Sequence, residues 1–196
     1  MVDVAVFASG NGSNFENLIS AQKEDNLNYN IKILIADKDN IGALHRAQRL
    51  GVSSYIIDPK TFSSKKEYEN ELIQILKNEG ISLIALAGYM RIIGPTLLNA
   101  YEGNIINIHP AFLPEFPGKS GIEDAFQAGV SESGVTIHYV DSGIDTGNII
   151  YQERVRIESH WTLDELRENI HRVEHSLYPM VLDRICKKFC KDWRKI

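Results

Sequence analysis

Val2-Asp3-Val4-Ala5-Val6-Phe7-Ala8, followed by Ser9-Gly10-Asn11-Gly12-Ser13-Asn14, is the stretch on which the fold turns. Its first seven residues form an apolar run, as expected of a strand buried on both faces. Glycines end the run, and residues 15–23 then carry apolar side chains at helical spacing. A strand, a tight turn and a helix in this order open a βαβ unit. The same rhythm continues downstream. Residues 31–36 read as a second strand, followed by Asp37-Lys38-Asp39-Asn40 and a helix through Leu50; residues 53–57 read as a third strand, broken by Asp58-Pro59. Ser63 or Ser64 can cap a helix reaching Lys77, with Glu67 at capping-box distance from Ser64. Strands at residues 81–86 and 104–108 complete the series.

Alternation of this kind predicts an α/β fold, a doubly wound, Rossmann-like and mostly parallel sheet with helices on both faces. The later sequence changes character. Residues 134–140 and 149–157 alternate apolar and polar side chains around a glycine-rich bend, which predicts an antiparallel edge. Thr162 then caps a long final helix from Leu163 to about Lys188, with Leu166, Ile170, Val173, Leu177, Val181 and Ile185 on one face. Pro179 should kink that helix or split it in two. With no repeat, low-complexity tract or linker, residues 1–196 read as one domain.

Composition narrows the function. Hydrophobic residues make up 43% and charged residues 24%, ordinary values for a globular chain. A net charge of −5 argues against a broad nucleic-acid surface, though not against a small basic pocket. No run approaches the ~20 apolar residues that span a bilayer, and the N-terminus lacks the positive region of a signal peptide. Cys186 and Cys190, four apart on the last helix, read as a structural thiol pair rather than a disulfide framework or metal site. A reduced, cytoplasmic location is the expectation.

The glycine-rich turn has a chemistry of its own. Its exposed N–H groups and the positive end of the helix favour an anion, typically phosphate, with Ser13 and Asn14 as further donors. Dinucleotide binding competes: Gly10 and Gly12 match the start of a GxGxxG pattern, and Asp37 could serve as the ribose-binding acid. Phe15 stands at the third glycine position, where the helix must approach the strand closely, and weakens that fit. A plain structural turn is the third reading.

Asn107-Ile108-His109-Pro110 ends the fifth strand, so Asn107 and His109 point to the same face. Downstream, Asp145 stands in a glycine-flanked loop, Asp141-Ser142-Gly143-Ile144-Asp145-Thr146-Gly147, and could reach back to that pair. An amide donor for an oxyanion, an imidazole to move a proton and a carboxylate to hold the imidazole suit acyl transfer to an amine. A strand-end Asn and His could also satisfy buried backbone groups. His138, on an alternating strand, reads as a half-buried structural histidine that could touch the site. His45, His160 and His175 read as surface residues, whereas His171 lies one turn before Glu174 and can share its face.

Taken in order, Ser9–Asn14, Ala87-Gly-Tyr-Met-Arg-Ile92, Asn107–Pro110, Leu113-Pro-Glu-Phe-Pro-Gly118, Gly134-Val-Thr-Ile-His138, Asp145-Thr-Gly147 and Glu174-His-Ser-Leu-Tyr-Pro179 resemble one family over residues 4–182. It is the folate-dependent phosphoribosylglycinamide formyltransferases of de novo purine synthesis. The resemblance implies transfer of a formyl group from 10-formyltetrahydrofolate to glycinamide ribonucleotide, with no metal. Asn107, His109 and Asp145 match the catalytic set. Gly12, Ser13 and Asn14 match the phosphate binders, Glu174 the acid holding the amino end, and Pro110 and His171 stand beside them. Met90, Arg91, Ile92 and Ile93 match the border of the pterin pocket, and Val140, Asp141, Ser142, Gly143 and Ile144 the loop that meets the ring. Lys65 stands where some members place an arginine near the folate tail, although Lys65 and Lys66 also read as a solvated helix start. Arg91 has the alternative of a solvated loop charge. The implied partners are small molecules rather than nucleic acid or membrane, and the chain is expected to be a monomer or homodimer.

One departure stands out. After Gly118 many members carry histidines, where this chain has Lys119-Ser120-Gly121-Ile122. Other formyl-folate enzymes, the methionyl-tRNA and sugar-nucleotide formyltransferases and the formyltetrahydrofolate hydrolase, would be expected to carry an extra domain. A dinucleotide-dependent oxidoreductase would leave Asn107, His109 and Asp145 without a task.

Overall fold

Seven strands lie in the order β3-β2-β1-β4-β5-β6-β7. They are β1 (Val2–Ala8), β2 (Tyr29–Ala36), β3 (Ser53–Ile56), β4 (Leu83–Leu86), β5 (Ile105–His109), β6 (Glu132–Tyr139) and β7 (Ile149–Arg156). The computed structural model of the chain describes residues 1–24 and 27–192, with side chains through Phe189. β1 pairs in parallel with β2 and β4, as do β2 with β3 and β4 with β5, whereas β6 and β7 run antiparallel at the edge. The mostly parallel sheet with an antiparallel edge is thus as expected.

Both faces of the central parallel strands are covered, which is why β1 and β4 are nearly continuous apolar runs, whereas β3 at the edge, Ser53–Ile56, is largely exposed. Val4, Val6 and Ala8 point into a core shared with α1 (Ser13–Glu24), α2 (Gly42–Leu50), α5 (Gly121–Gln127) and α6 (Leu163–Asp192). Ala5 and Phe7 point the other way, against α3 (Lys65–Asn78) and α4 (Pro95–Ala100). Short α4 and α5 are additions to the sequence reading. Too few turns carry a periodicity, and α4 depends on a distant cap: buried Glu69 of α3 accepts from the backbone N–H groups of Gly94, Thr96 and Leu97.

Ser64 does cap α3 by accepting from the Glu67 N–H, but the Glu67 carboxylate returns to Ser63 rather than to Ser64. Thr162 and Glu165 form the reciprocal version at the start of α6. Pro179 does not split α6, which runs unbroken to Asp192. Proline deprives the carbonyl four residues back of its donor. Here that carbonyl, on His175, accepts from Asn17 Nδ2 of α1 instead. A side chain from another helix thereby replaces the bond that proline removes. Cys186 is buried in the core, as a structural thiol should be, while the Cys190 side chain lies outside the described residues. Among the described residues no helix is long and apolar enough to cross a membrane.

Strand order reverses between β1 and β4, since β2 and β3 extend to one side of β1 and β4 and β5 to the other. Open α/β sheets bind ligands in the crevice at such a switch point, beyond the carboxyl ends of the strands.

Candidate functional site

A cleft of about 820 Å³ opens at that crevice. The turn after β1, the segment after β4, the end of β5, the β6–β7 loop and one face of α6 all line it.

At its first wall the chain leaves β1 through Gly10–Asn14 and enters α1. Gly12 adopts φ +80°, and a Cβ there would stand 2.6 Å from both Cα and Cβ of Ala43 in α2. Only glycine lets α2 seat against the turn. Arg46 of α2 braces the turn from outside, donating to the Asn11 carbonyl (2.9 Å) and side-chain oxygen (3.0 Å), and pairs with Glu16.

Residues 87–93 form the second wall. Ser9 ties it to the turn: its N–H donates to Gly88 O (3.1 Å), and its hydroxyl accepts from Met90 N–H (2.9 Å). Met90 and Ile92 expose most of their apolar surface, and Ile144 on the loop opposite does the same. Exposed apolar side chains rimming a cleft suit a flat, weakly polar ligand. Arg91 is not a free loop charge, because its Nε donates to Asp37 Oδ2 at 2.6 Å. Asp37 is therefore the buried anchor of this wall, rather than a ribose-binding acid, and it does not line the cleft.

At the third wall the Asn107, His109 and Asp145 side chains converge. Asp145 adopts φ +54°, a left-handed conformation that Asp tolerates better than most side chains. Its loop is held by Asp141, whose Oδ1 accepts from Gly143 N–H (2.9 Å) and Thr146 Oγ1 (2.7 Å). Gly147 passes so close to the Tyr139 carbonyl that no Cβ fits there. Folded back in this way, Asp145 places Oδ2 3.4 Å from His109 Nδ1 and Oδ1 3.5 Å from His138 Nε2. Asn107 Nδ2 donates to Asp145 Oδ1 at 3.4 Å and lies 3.2 Å from His138 Nε2. Gly118 N–H donates to Asp145 Oδ2 (2.7 Å), and His109 Nε2 donates to the Phe116 carbonyl (2.8 Å).

Burial pushes the Asp145 carboxyl up, but the His138 hydrogen bond, the Gly118 N–H and the neighbouring imidazoles outweigh it and hold the carboxyl below its ordinary value. Both nitrogens of His109 face acceptors, Asp145 Oδ2 and the Phe116 carbonyl. His138 is only 2% exposed and belongs to this cluster, more than a half-buried structural residue would. The signal lay in strand pairing: β6 sets His138 directly opposite Asn107.

α6 supplies the last wall. Buried Glu174 accepts from His171 Nδ1 at 2.7 Å, and this bond, against the opposing effect of burial, raises the His171 pKa. His175 is not the surface residue expected. Its ring stacks beside His171 (centroids 6.5 Å apart), it is partly buried, and it lines the cleft. His45 and His160 are exposed, as expected.

Of the other expected positions, Gly12, Ser13, Asn14, Pro110, Ile93, Val140, Asp141, Gly143 and Ile144 line the cleft. Ser142, exposed on the same loop, does not, and neither does Lys65, which is exposed at the start of α3 with its stem against Gly94. Lys119 also lines it. Among the described residues no group of three or more His, Cys, Asp and Glu side chains is arranged to hold a metal.

A glycine-rich turn at a helix start, an apolar rim and an amide–imidazole–carboxylate cluster in one crevice are the parts of a group-transfer site on a Rossmann-like sheet. Residues 2–182 match the formyl transferase family, and the chain belongs to it. It is 46% identical to the phosphoribosylglycinamide formyltransferase of Bacillus subtilis (strain 168), over 94% of this chain and 95% of that one. Among solved structures it is similar to the phosphoribosylglycinamide formyltransferase of Streptococcus pneumoniae TIGR4, with a TM-score of 0.89, 50% identity and coverage of 94% and 99% of the two chains. It is similar also to glycinamide ribonucleotide transformylase 1 of Geobacillus kaustophilus, with a TM-score of 0.92, 49% identity and coverage of 95% and 99%.

Proposed function

We propose that this chain transfers the formyl group of 10-formyltetrahydrofolate to the amine of glycinamide ribonucleotide, in de novo purine synthesis. The observation that carries the reading is the convergence of Asn107, His109 and Asp145 in the cleft that also holds the Gly10–Asn14 turn. The turn takes the ribonucleotide phosphate on Gly12, Ser13 and Asn14, while Glu174, His171 and Pro110 hold the sugar and amino end. Met90–Ile93 and residues 140–144 sandwich the folate.

The amine attacks the formyl carbon, and the carbonyl oxygen becomes an oxyanion. Asn107 Nδ2 and the His109 imidazolium donate to it, each such donor being worth about 3 kcal/mol of barrier in comparable sites. Asp145 keeps the imidazole charged and oriented. As the carbon–N10 bond breaks, His109 gives its Nε2 proton to folate N10 and takes the proton leaving the attacking nitrogen in its place, or a water held by Asp145 carries that proton across. His109 Nε2 is engaged by the Phe116 carbonyl in this state, so that carbonyl has to give way before Nε2 can serve the oxyanion. The loop between β5 and α5 therefore belongs to the reaction cycle.

In this reading residues 1–196 work as one formyltransferase domain, cytoplasmic, as a monomer or homodimer. Mixing the protein with glycinamide ribonucleotide and 10-formyltetrahydrofolate should change the folate absorbance at a rate that depends on both. No turnover by a folded sample, or tight NAD(H) binding in its place, would overturn the reading. Formate release without the nucleotide would make the chain a hydrolase instead.

A further inference from the structure

Two polar atoms at the seam between α1 and α6 are sealed from solvent and without a hydrogen-bond partner: Asn14 Oδ1 and His175 Nε2. Buried polar atoms left unpaired are costly, so one on each of two helices that Asn17 ties together calls for a reason. One is an obligate acceptor; the other is a donor whenever the neutral ring carries its proton on Nε2. Asn17, one turn beyond Asn14 on the same helix, already donates to the His175 carbonyl, which fixes the face of α1 that meets His175. Asn14 lines the cleft, and since its oxygen is the sealed atom, its NH2 group is the end turned toward the anion turn.

We propose that His175 is a positioning residue: its Nε2–H pairs with Asn14 Oδ1 when the nucleotide phosphate seats, locking the Asn14 amide with its NH2 on the phosphate. This rests on the turn being the phosphate seat. An asparagine that can rotate presents either an oxygen or an NH2 to an anion, and the oxygen repels it. A donor behind the oxygen removes that ambiguity, and phosphate drawing on NH2 strengthens the bond behind it. Burial, with His171 and Arg46 in the same direction, holds the His175 pKa below its ordinary value against the pull of Glu174, and the neutral ring with its proton on Nε2 is the tautomer that supplies the donor.

The test crosses two variants with two acceptors. His175→Phe should lower kcat/KM for glycinamide ribonucleotide about tenfold, mostly through KM, and leave KM for formyl folate unchanged. The same variant should be without effect on glycinamide riboside, which lacks the phosphate. In an Asn14→Ala background His175→Phe should add nothing, and His175→Gln, which keeps an amide donor, should recover most of the loss. Equal losses on nucleotide and riboside, or additive losses in the double variant, would show that His175 only packs the seam. Wild-type protein supplies an independent reading should the variants fold poorly. Its His175 Nε2–H proton should exchange more slowly on adding the nucleotide but not the riboside, and an unchanged exchange rate would refute the assignment. A wild type without turnover would instead sink the functional reading itself.

Discussion

Replacing Asp145 by Asn keeps the outline of the side chain and removes its charge. The carboxylate stands 3.4 Å from His109 Nδ1 and 3.5 Å from His138 Nε2, with its side chain 13% exposed. Opposite unit charges at that separation interact by about 5 kcal/mol at an effective dielectric of ~20. Asparagine still accepts from one neighbour, Gly118 N–H or an imidazole N–H, but its NH2 then confronts the other donor. Allowing for that retained bond leaves about 4 kcal/mol, which lowers kcat by about three decades. Nucleotide affinity should change little, because the turn and Glu174 do not contact Asp145. Steady-state folate absorbance gives kcat, calorimetry with glycinamide ribonucleotide alone gives binding, and a thermal melt controls for folding. A variant with kcat within tenfold of wild type, binding intact, would refute the assignment of the carboxylate to the reaction.

Gly12→Val forces a Cβ to 2.6 Å from Ala43 at φ +80°; calorimetry should show nucleotide affinity reduced at least about tenfold as the turn shifts away from α2. Glu69→Gln turns one of the oxygens capping α4 into a donor facing N–H groups, so stability should fall by about 2 kcal/mol and Tm by roughly 4–8 °C. His171 has its folded pKa raised by Glu174, so its contribution to stability is fully present below the unfolded value of ~6.5 and is lost as pH rises through the folded one. Melts of wild type and His171→Asn should therefore differ most below that value and converge in alkali, by a small amount because the side chain is 49% exposed. Asp145, held low, works in the opposite sense: its contribution is present above the ordinary carboxyl value of ~4 and disappears as acid titrates the folded group.

What was legible in the sequence was whatever depends on neighbours along the chain. β1, β2 and α1 announced themselves because burial on two faces or one stripe writes a period into the residues. The site residues Asn107 and His109 were legible because a strand's alternation fixes which side chains share a face. Three features depend on distant partners and were not. Pro179 leaves α6 unbroken because Asn17 donates to the carbonyl it orphans, and nothing near residue 179 foretells that donor. His138 joins the site through its register with Asn107, which no local pattern encodes. Asp37 and Arg91 lie on different strand ends, and only the switch in strand order brings them together.

The site itself is a consequence of register. Phe7 pairs with Leu86, Leu86 with Asn107 and Asn107 with His138, a single row crossing four strands. β1 ends one residue past this row and β4 ends on it, so the anion turn and the apolar wall begin at one height. β5 runs two residues further, which carries His109 above the row beside Asn107. Neighbouring strands are about 4.8 Å apart, and β4 separates β1 from β5, so turn and amide lie about 10 Å apart. That is roughly the reach of a ribose 5-phosphate bearing a short amide. Under the proposed function, the strand between them leads into the wall assigned to folate, which would set the formyl donor over the middle of the acceptor's path. β6 pairs antiparallel with β5 and sets His138 opposite Asn107, and the loop between β6 and β7 folds back so that Asp145 reaches His109 and His138. Asp141, accepting from Gly143 N–H and Thr146 Oγ1, and the close approach of Gly147 to the Tyr139 carbonyl hold that fold-back, and it is the fold-back that brings a carboxylate to the imidazole.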